Sequence, residues 1–241
     1  MSMPSVAGSE RALAGQPVVT EAFAKTVRLV TTARLRESVL KPLVDDAKEL
    51  EELAEIEGAT SNRLVAQNRG IEGIGAKELI YGVPHAAFIN ASFAYAKPRA
   101  PNRFNGPSRG AWYAALDTET CLAEVTYHMN AFLSLSGLGH AQVDYSQMFA
   151  SLAGAFLDLR GAAHELCLDP EPARGYPAGN ALAERVRGEG LNGIIYPSVR
   201  RAGGTCIVAL WPHAVQSVAQ GGVFRLTWNG TPEPDIELLV A

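Results

Sequence analysis

The spacing of apolar residues divides the chain into two parts with different textures. From about residue 21 to residue 57, apolar side chains recur every three or four positions, the period of one face of an α-helix. The stripe consists of Leu35, Val39, Leu43, Ala47, Leu50 and Leu53. Pro42 interrupts it and predicts two helices or a kinked one, and Gly58 is the expected stop. Residues 1 to about 20 show no period and are expected to form a loose tail.

After residue 60 the chain consists of short apolar runs separated by Gly, Pro and Asn, which is typical of strands joined by turns. The predicted strands are residues 62–66, 86–93, 111–115, 142–149, 193–196, 205–211 and 223–228. Two helices are predicted among them, over residues 118–133 and 180–187, and Asp117 or Thr118 can cap the first. Strands outnumber helices and do not alternate with them, so we expect an α+β fold. We therefore predict a tail and helical extension over residues 1–59 and a second domain over residues 60–241.

Composition narrows the class of protein. Of the 241 residues 47% are hydrophobic, which is ample for a packed core, and the net charge is −4. A chain with this charge is not expected to bind nucleic acid, whose phosphates require a basic surplus. The three cysteines and five histidines have neither disulfide nor metal-ligand spacing, so no metal is expected. The longest run without charged residues, 202–224, contains Gly and Pro, and the N-terminus has no signal pattern; we expect a soluble, cytoplasmic protein.

A basic loop is the first candidate for a binding site. Between Lys97 and Leu116 there are four positive charges and no negative one. Arg103 and Arg109 carry forked donors suited to phosphate oxygens, and neighbouring glycines let backbone N–H groups approach a ligand closely. The alternative is an exposed turn whose arginines only aid solubility.

Three further positions are candidates for chemistry. Trp112 and Tyr113 must face opposite sides of their predicted strand, so one should enter the core while the other is free to line a cleft. Glu124 lies off the apolar stripe of the helix that follows, although most helical glutamates are merely surface residues. Ser198 opens a glycine-containing turn that bears Arg200 and Arg201. No nucleophile-elbow motif surrounds Ser198, which favours a hydrogen-bonding role.

These pieces, in this order, resemble the RES domain, a family named for its Arg, Glu and Ser. Its members are toxins of bacterial toxin–antitoxin pairs that consume NAD or transfer ADP-ribose from it. The resemblance covers roughly residue 60 to the C-terminus, which would make residues 60–241 a RES catalytic domain. The matching stretches are Ser61-Asn-Arg-Leu64, Arg103-Phe-Asn-Gly106, Trp112-Tyr-Ala-Ala115, Cys121-Leu-Ala-Glu-Val125 and Ile195-Tyr-Pro-Ser-Val-Arg200.

The resemblance implies a fold similar to that of ADP-ribosyltransferases, a split β-sheet cleft flanked by helices, and it implies roles for single residues. Glu124 would hold a ribose hydroxyl and stabilise the oxocarbenium charge, and Tyr113 would stack on the nicotinamide ring. Ser198 would orient the nicotinamide or its ribose. The remaining contacts to NAD would come from Arg63, Arg103 and Asn105.

The reaction would be cleavage of the nicotinamide–ribose bond of NAD. Nicotinamide leaves as a neutral base, so one carboxylate suffices where ordinary glycosidases use two. The acceptor of ADP-ribose is left open: phosphate, water or a side chain of a cellular protein, the last making the enzyme a protein ADP-ribosyltransferase. A cognate antitoxin covering the active site is the expected partner. The alternative from another class is a non-catalytic module that only binds the antitoxin.

Overall fold

The structure, a computed structural model, describes residues 12–32, 74–94, 101–162 and 164–240. Over these residues the strands are β1 (Ala12–Leu13), β2 (Gln16–Thr31), β3 (Trp112–Ala115), β4 (His140–Asp158), β5 (Gly193–Pro197), β6 (Thr205–Ala209), β7 (Val215–Asn229) and β8 (Asp235–Val240). The helices are α1 (Ala86–Ala94), α2 (Thr118–Ser136) and α3 (Pro172–Gly188), with short 3₁₀ turns at Ala76–Glu78, Leu166–Leu168 and Pro212–Ala214. The predicted α+β class is confirmed.

One mixed sheet joins all eight of these strands, in the order β1-β2-β3-β6-β5-β4-β7-β8. Strand β4 pairs in parallel with β5, whereas the other pairings are antiparallel. Because β2 also pairs with β4, the strands β2, β3, β6, β5 and β4 close a ring of pairings. The long strand β4 therefore pairs with three strands, β2, β5 and β7.

The core lies on both faces of this sheet, and strand β3 contributes to each. Trp112 is fully buried in one apolar cluster, where Phe88 meets its ring edge to face at 5.5 Å. Tyr113 points to the opposite face, beside the cluster that contains Phe104 and Tyr196. The prediction that the two side chains face opposite sides and that one enters the core is confirmed, since Trp112 is buried and Tyr113 is half-buried on the other face. The role of Tyr113 in lining a cleft stays a prediction.

The N-terminal prediction is wrong over the residues that the structure describes. Instead of a loose tail and a helix from residue 21, residues 16–31 form β2, which pairs with β4 along most of its length. Val27 is buried on one face of the sheet and Val30 on the other, so the strand lacks the alternation that identifies one buried on a single face. The stripe from Leu35 to Leu53 and the predicted strand 62–66 lie outside the described residues. The division at residue 60 stays a prediction, although residues 12–31 share the sheet with the later strands.

Later in the chain, one predicted strand is a helix and several elements are longer than predicted. Residues 86–93 form α1, which buries Ile89 and Phe93 one turn apart. An apolar run of this length does not distinguish a buried helix from a buried strand. The strands predicted at 111–115, 142–149, 193–196, 205–211 and 223–228 and the helix at 118–133 are confirmed with shifted ends. Helix α3 begins at Pro172 rather than at residue 180, and β8 was not predicted.

Candidate active site

Helix α2 is positioned by a cap at the end of strand β3. Asp117, the residue before the helix, accepts hydrogen bonds from the backbone N–H of Thr120 at 2.7 Å and from the Thr120 hydroxyl at 2.9 Å. Such a carboxylate pairs an N–H group that the helix leaves free and complements the helix dipole. Of the two caps that the sequence left open, Asp117 and Thr118, the structure shows Asp117. Glu124 follows one turn after Thr120.

The turn after strand β5 is the second element of the site. Its first residue, Ser198, donates its backbone N–H to the carbonyl of Gly204 at 2.8 Å. The Ser198 side-chain oxygen accepts hydrogen bonds from the backbone N–H groups of Arg200 and Arg201, both at 3.1 Å. Gly203 has φ of +77°, a left-handed conformation that favours glycine. The backbone thus orients the serine hydroxyl and leaves its proton to be donated elsewhere.

This turn approaches α2 closely because Gly204 has no side chain. A Cβ on Gly204 would lie 2.5 Å from Thr120 Oγ1, too close for any other residue without a shift. Arg201 spans the same contact, with Nη1 at 3.2 Å from Thr120 Oγ1 and 3.6 Å from Asp117 Oδ1. The contact brings the turn within hydrogen-bonding reach of Glu124.

Glu124 is held through one of its two carboxylate oxygens. The Ser198 hydroxyl donates to Glu124 Oε1 at 2.7 Å, and the Cys206 thiol on β6 donates to the same atom at 3.7 Å. Within the described part of the chain, no hydrogen bond reaches Glu124 Oε2. The side chain is half-buried, so the arrangement presents a fixed carboxylate with one oxygen available to a ligand. The sequence-predicted residues Glu124 and Ser198 are therefore in direct contact.

The Tyr113 hydroxyl is occupied by protein groups. It donates to Asn105 Oδ1 at 2.9 Å and accepts from the backbone N–H of Phe104 at 2.9 Å. Burial raises the pKa of Tyr113 well above its ordinary range, although the hydrogen bond from Phe104 opposes this. Asn105 in turn donates to the carbonyl of Arg109 at 3.0 Å. A ligand contact of Tyr113 would come from its ring, and the polar atoms of Asn105 are used within the loop.

Arg103 braces the loop that carries Asn105. Its guanidinium is buried, and Nη1 donates to the carbonyls of Cys167 at 2.6 Å and Asp169 at 2.9 Å. A Cβ on Gly179 of α3 would lie 2.1 Å from the Arg103 carbonyl, so the loop contacts the helix where a side chain is missing. This geometry gives Arg103 a structural task; its predicted contact with NAD stays a prediction.

A second arginine, Arg200, was noted in the sequence only as a residue of the turn after Ser198, and it donates to a carbonyl next to those that Arg103 holds. The Arg200 guanidinium lies over the ring of Tyr127 at 3.3 Å from the ring centre, and Nη2 donates to the carbonyl of Pro170 at 2.8 Å. Tyr127 lies on α2. Tyr176 lies on α3, and the Arg103 guanidinium is 5.4 Å from the centre of the Tyr176 ring. An aromatic residue three positions after Glu124 was the available sequence signal.

His128 stands one turn after Glu124 on α2 and keeps an exposed edge. Desolvation by the surrounding protein lowers the pKa of His128, and Arg200 and Arg103 add to this effect, whereas Glu124 opposes it. The imidazole is therefore neutral at pH 7. It adds a neutral acceptor and donor beside the carboxylate.

Arg109, the other arginine of the basic loop that the structure describes, has its guanidinium inside the protein. Arg109 is buried, pairs with Glu78 at 2.7 Å and donates to the carbonyl of Leu210 at 3.0 Å. Its guanidinium also lies over the ring of Trp211. The interpretation of Arg109 as a solvent-facing charge is wrong, because its charge is used inside the fold. Lys97 and Arg99 lie outside the described residues.

The predicted strand arginine, Arg63, also lies outside the described residues, so its role stays a prediction. Arg28 on β2 is an arginine in a described strand, and its guanidinium lies over the Trp112 ring at 4.6 Å. It contributes to lowering the pKa of both Tyr113 and Cys121, in each case against the larger effect of burial. An arginine between the apolar residues Val27 and Leu29 was a signal for a strand arginine, and it was missed because this segment was predicted to be helical.

Among the described residues no three His, Cys, Asp or Glu side chains converge as metal ligands do. In the part of the chain that the structure describes, none of the helices combines the length and apolar character needed to cross a bilayer.

Comparison with known proteins identifies the family. The family model of the RES domain matches residues 79–229, and the chain belongs to this family. The uncharacterised protein y4oC of Sinorhizobium fredii is 29% identical over 203 residues, which cover 80% of this chain and 78% of that protein. Among solved structures, the M. tuberculosis MbcT–MbcA toxin–antitoxin complex contains a similar chain, with 18% identity and a TM-score of 0.38 over 52% of this chain and 73% of that one.

Proposed function

We propose that the protein is an enzyme that cleaves the nicotinamide–ribose bond of NAD and passes ADP-ribose to phosphate or water. The observation that carries the proposal is the Glu124 carboxylate, fixed through Oε1 by Ser198 and free of protein hydrogen bonds at Oε2 among the described residues. A fixed anion with one open oxygen suits a reaction in which positive charge develops on a sugar.

In the proposed reaction the bond between ribose C1′ and the nicotinamide nitrogen breaks, and nicotinamide leaves with the bonding electron pair as a neutral molecule. Glu124 Oε2 accepts a hydrogen bond from a ribose hydroxyl and stabilises the positive charge that develops at C1′. An oxygen of phosphate or water then forms the new bond to C1′, and a proton of water, where water is the acceptor, passes to solvent. No general acid is needed, which agrees with a single carboxylate at the centre of the site.

The binding roles are distributed over the surrounding elements. The ring of Tyr113 is proposed to stack on nicotinamide, because its hydroxyl is already bonded to Asn105 and Phe104. We propose that Arg200 contributes to binding the pyrophosphate, with Arg63 as the strand arginine that the family resemblance implies. In this proposal Arg103 and Asn105 support NAD binding by holding their loop in place.

The biological role follows from the family resemblance. We propose that the protein is a toxin held inactive by a cognate antitoxin that covers the cleft. An ADP-ribosyltransferase acting on a cellular protein is the alternative enzyme, and a non-catalytic antitoxin-binding module is the alternative from another class. The fixed carboxylate favours an enzyme over the module, because a binding surface has no need of a carboxylate oxygen held open.

One assay separates these functions. Purified protein is incubated with NAD in phosphate buffer, in phosphate-free buffer and with cell lysate proteins, and free nicotinamide and labelled proteins are measured. Release that needs phosphate supports phosphorolysis, release without it supports hydrolysis, and labelled protein supports transfer. Glu184→Gln, an exposed change on α3, is the control for Glu124→Gln. No release in any condition would contradict an NAD-consuming enzyme.

A further inference from the structure

We propose that Cys206 is a positioning residue, which holds the Glu124 carboxylate together with Ser198 so that only Oε2 faces the substrate. This inference rests on the proposed function, and it assigns a task to a residue outside the Arg, Glu and Ser of the family name. Cys206 lies on β6, its side chain is 2% exposed, and its thiol is 3.7 Å from Glu124 Oε1.

Two donors on one oxygen fix a carboxylate more firmly than one. Ser198 alone would leave Glu124 free to rotate about the axis of the hydrogen bond. A second donor from another strand removes that freedom, because the oxygen must satisfy both directions at once. The serine donates from the turn after β5, whereas the cysteine donates from strand β6.

The thiol is suited to this task because it stays protonated. Burial raises the pKa of Cys206 well above that of a free cysteine, and the neighbouring Glu124 and Cys121 raise it further. A neutral S–H group donates a weak hydrogen bond and brings no second charge to the site. A neutral donor can therefore hold the carboxylate in place without adding a charge beside it.

Several other groups face Glu124 and must be considered in any pH dependence. Those that interact electrostatically with Glu124 come from α2, α3 and β5 and are Cys121, His128, Tyr176 and Tyr196. Arg103 and Arg200 in turn act on His128 and Tyr176. Cys206 differs from the other titratable groups because its hydrogen bond reaches the carboxylate itself.

The chain offers a matched control for this cysteine. Cys121 is equally buried and also has a raised pKa, about 12, chiefly because of burial. Its thiol, however, donates to the carbonyl of Val27 at 3.0 Å and not to Glu124. Loss of either thiol leaves a space of the same size in the core, and only the loss of Cys206 removes a donor from the carboxylate.

The kinetic test compares Cys206→Ala, Cys206→Ser and Cys121→Ala in nicotinamide release from NAD, measured as kcat, KM and the pH profile of kcat. In Cys206→Ala we expect kcat to fall about tenfold with a smaller change in KM, because a hydrogen bond to a charged group is lost. The acid limb of the profile should move to higher pH. Cys206→Ser keeps a donor and should restore most of both, and Cys121→Ala should leave the limb in place.

A spectroscopic test does not depend on turnover. The S–H stretching band of Cys206, assigned by its loss in Cys206→Ala or, if that variant does not fold, in Cys206→Ser, should shift in Glu124→Gln because the acceptor loses its charge. An unshifted band would overturn the contact. An acid limb that moves equally in Cys121→Ala and Cys206→Ala would also overturn it, since packing would then be the cause. If wild-type protein releases no nicotinamide, the proposed function fails, and the band still decides whether Cys206 holds Glu124.

Discussion

The two sides of the site use their polar groups in different ways. On the α2 side, Ser198 and Cys206 converge on Glu124 and leave one carboxylate oxygen without a protein partner among the described residues. On the opposite side, the loop at residues 102–106 uses its polar atoms internally, since Arg103 donates to two carbonyls and Asn105 bonds Tyr113. Both sides were predicted from sequence as NAD contacts. The two sides therefore differ. The Glu124 side keeps a carboxylate oxygen without a protein partner among the described residues, whereas the polar groups of the loop at residues 102–106 hold the fold together.

The largest effect is expected on the α2 side. Glu124→Gln keeps the shape and removes the charge, so nicotinamide release should fall about 10²–10³-fold, as for the loss of one electrostatic stabiliser of a transition state. Unfolding by denaturant should change little. Release rates of this variant and of the exposed control Glu184→Gln check the prediction. If the Glu124→Gln variant released nicotinamide at nearly the wild-type rate, the carboxylate would have no role in the reaction.

The next effect is expected on the opposite side, as a loss of stability. Arg103→Ala leaves the carbonyls of Cys167 and Asp169 without their buried donor, so the free energy of unfolding should fall by about 3 kcal/mol. Denaturant titration measures this, with Arg174→Ala, a mostly exposed change on α3, as the control. If the Arg103→Ala variant kept its full stability and bound NAD much more weakly, Arg103 would be a ligand contact and not a structural brace. The two sides of the site would then not differ in how they use their polar groups.

Ser198 tests whether positioning matters on the α2 side. Ser198→Ala removes the 2.7 Å hydrogen bond to Glu124 and the acceptor of two backbone N–H groups. We expect kcat to fall about tenfold or somewhat more, because a charged hydrogen bond is lost. Ser134→Ala, an exposed change on α2, the helix that carries Glu124, is the control. If KM rises while kcat is kept, Ser198 binds substrate directly and does not act through Glu124.

The smallest effect is expected for the Tyr113 hydroxyl. Tyr113→Phe removes the bonds to Phe104 and Asn105 and should lower the free energy of unfolding by about 1 kcal/mol. The ring is kept, so nicotinamide release from the folded protein should be nearly unchanged. The exposed Tyr81→Phe serves for comparison. A large fall in release without a change in stability would give the hydroxyl a direct role in the reaction.

Local signals were sufficient for the helix that carries Glu124. An aspartate before the helix, an apolar stripe and a glutamate off that stripe lie within a few turns of sequence, and Asp117 and Glu124 stand where those signals predict. The contact with Ser198 was not predictable in the same way. The two residues are 74 positions apart, and they meet because Gly204 allows a turn to rest on Thr120.

Long-range contacts also explain what the sequence interpretation missed. The carbonyls that Arg103 binds are 64 and 66 positions away. The sequence around Arg103 therefore does not show whether its guanidinium binds buried carbonyls or a phosphate. Strand β2 pairs with residues of β4 more than 110 positions later, and its residues 26–30 are buried on both faces, which removes the period of two there. For α1, a short apolar run left helix and strand equally compatible with the pattern.

The order in which the ribosome adds these residues determines when the site can form. Glu124 is synthesised first, and the serine that orients it and the cysteine on β6 follow 74 and 82 positions later. Strand β4, to which β2 must pair, also lies between them. A nascent chain therefore cannot complete the proposed site before residue 206 has been added. For an enzyme proposed to consume a central metabolite of its own cell, this late assembly keeps unfinished chains harmless.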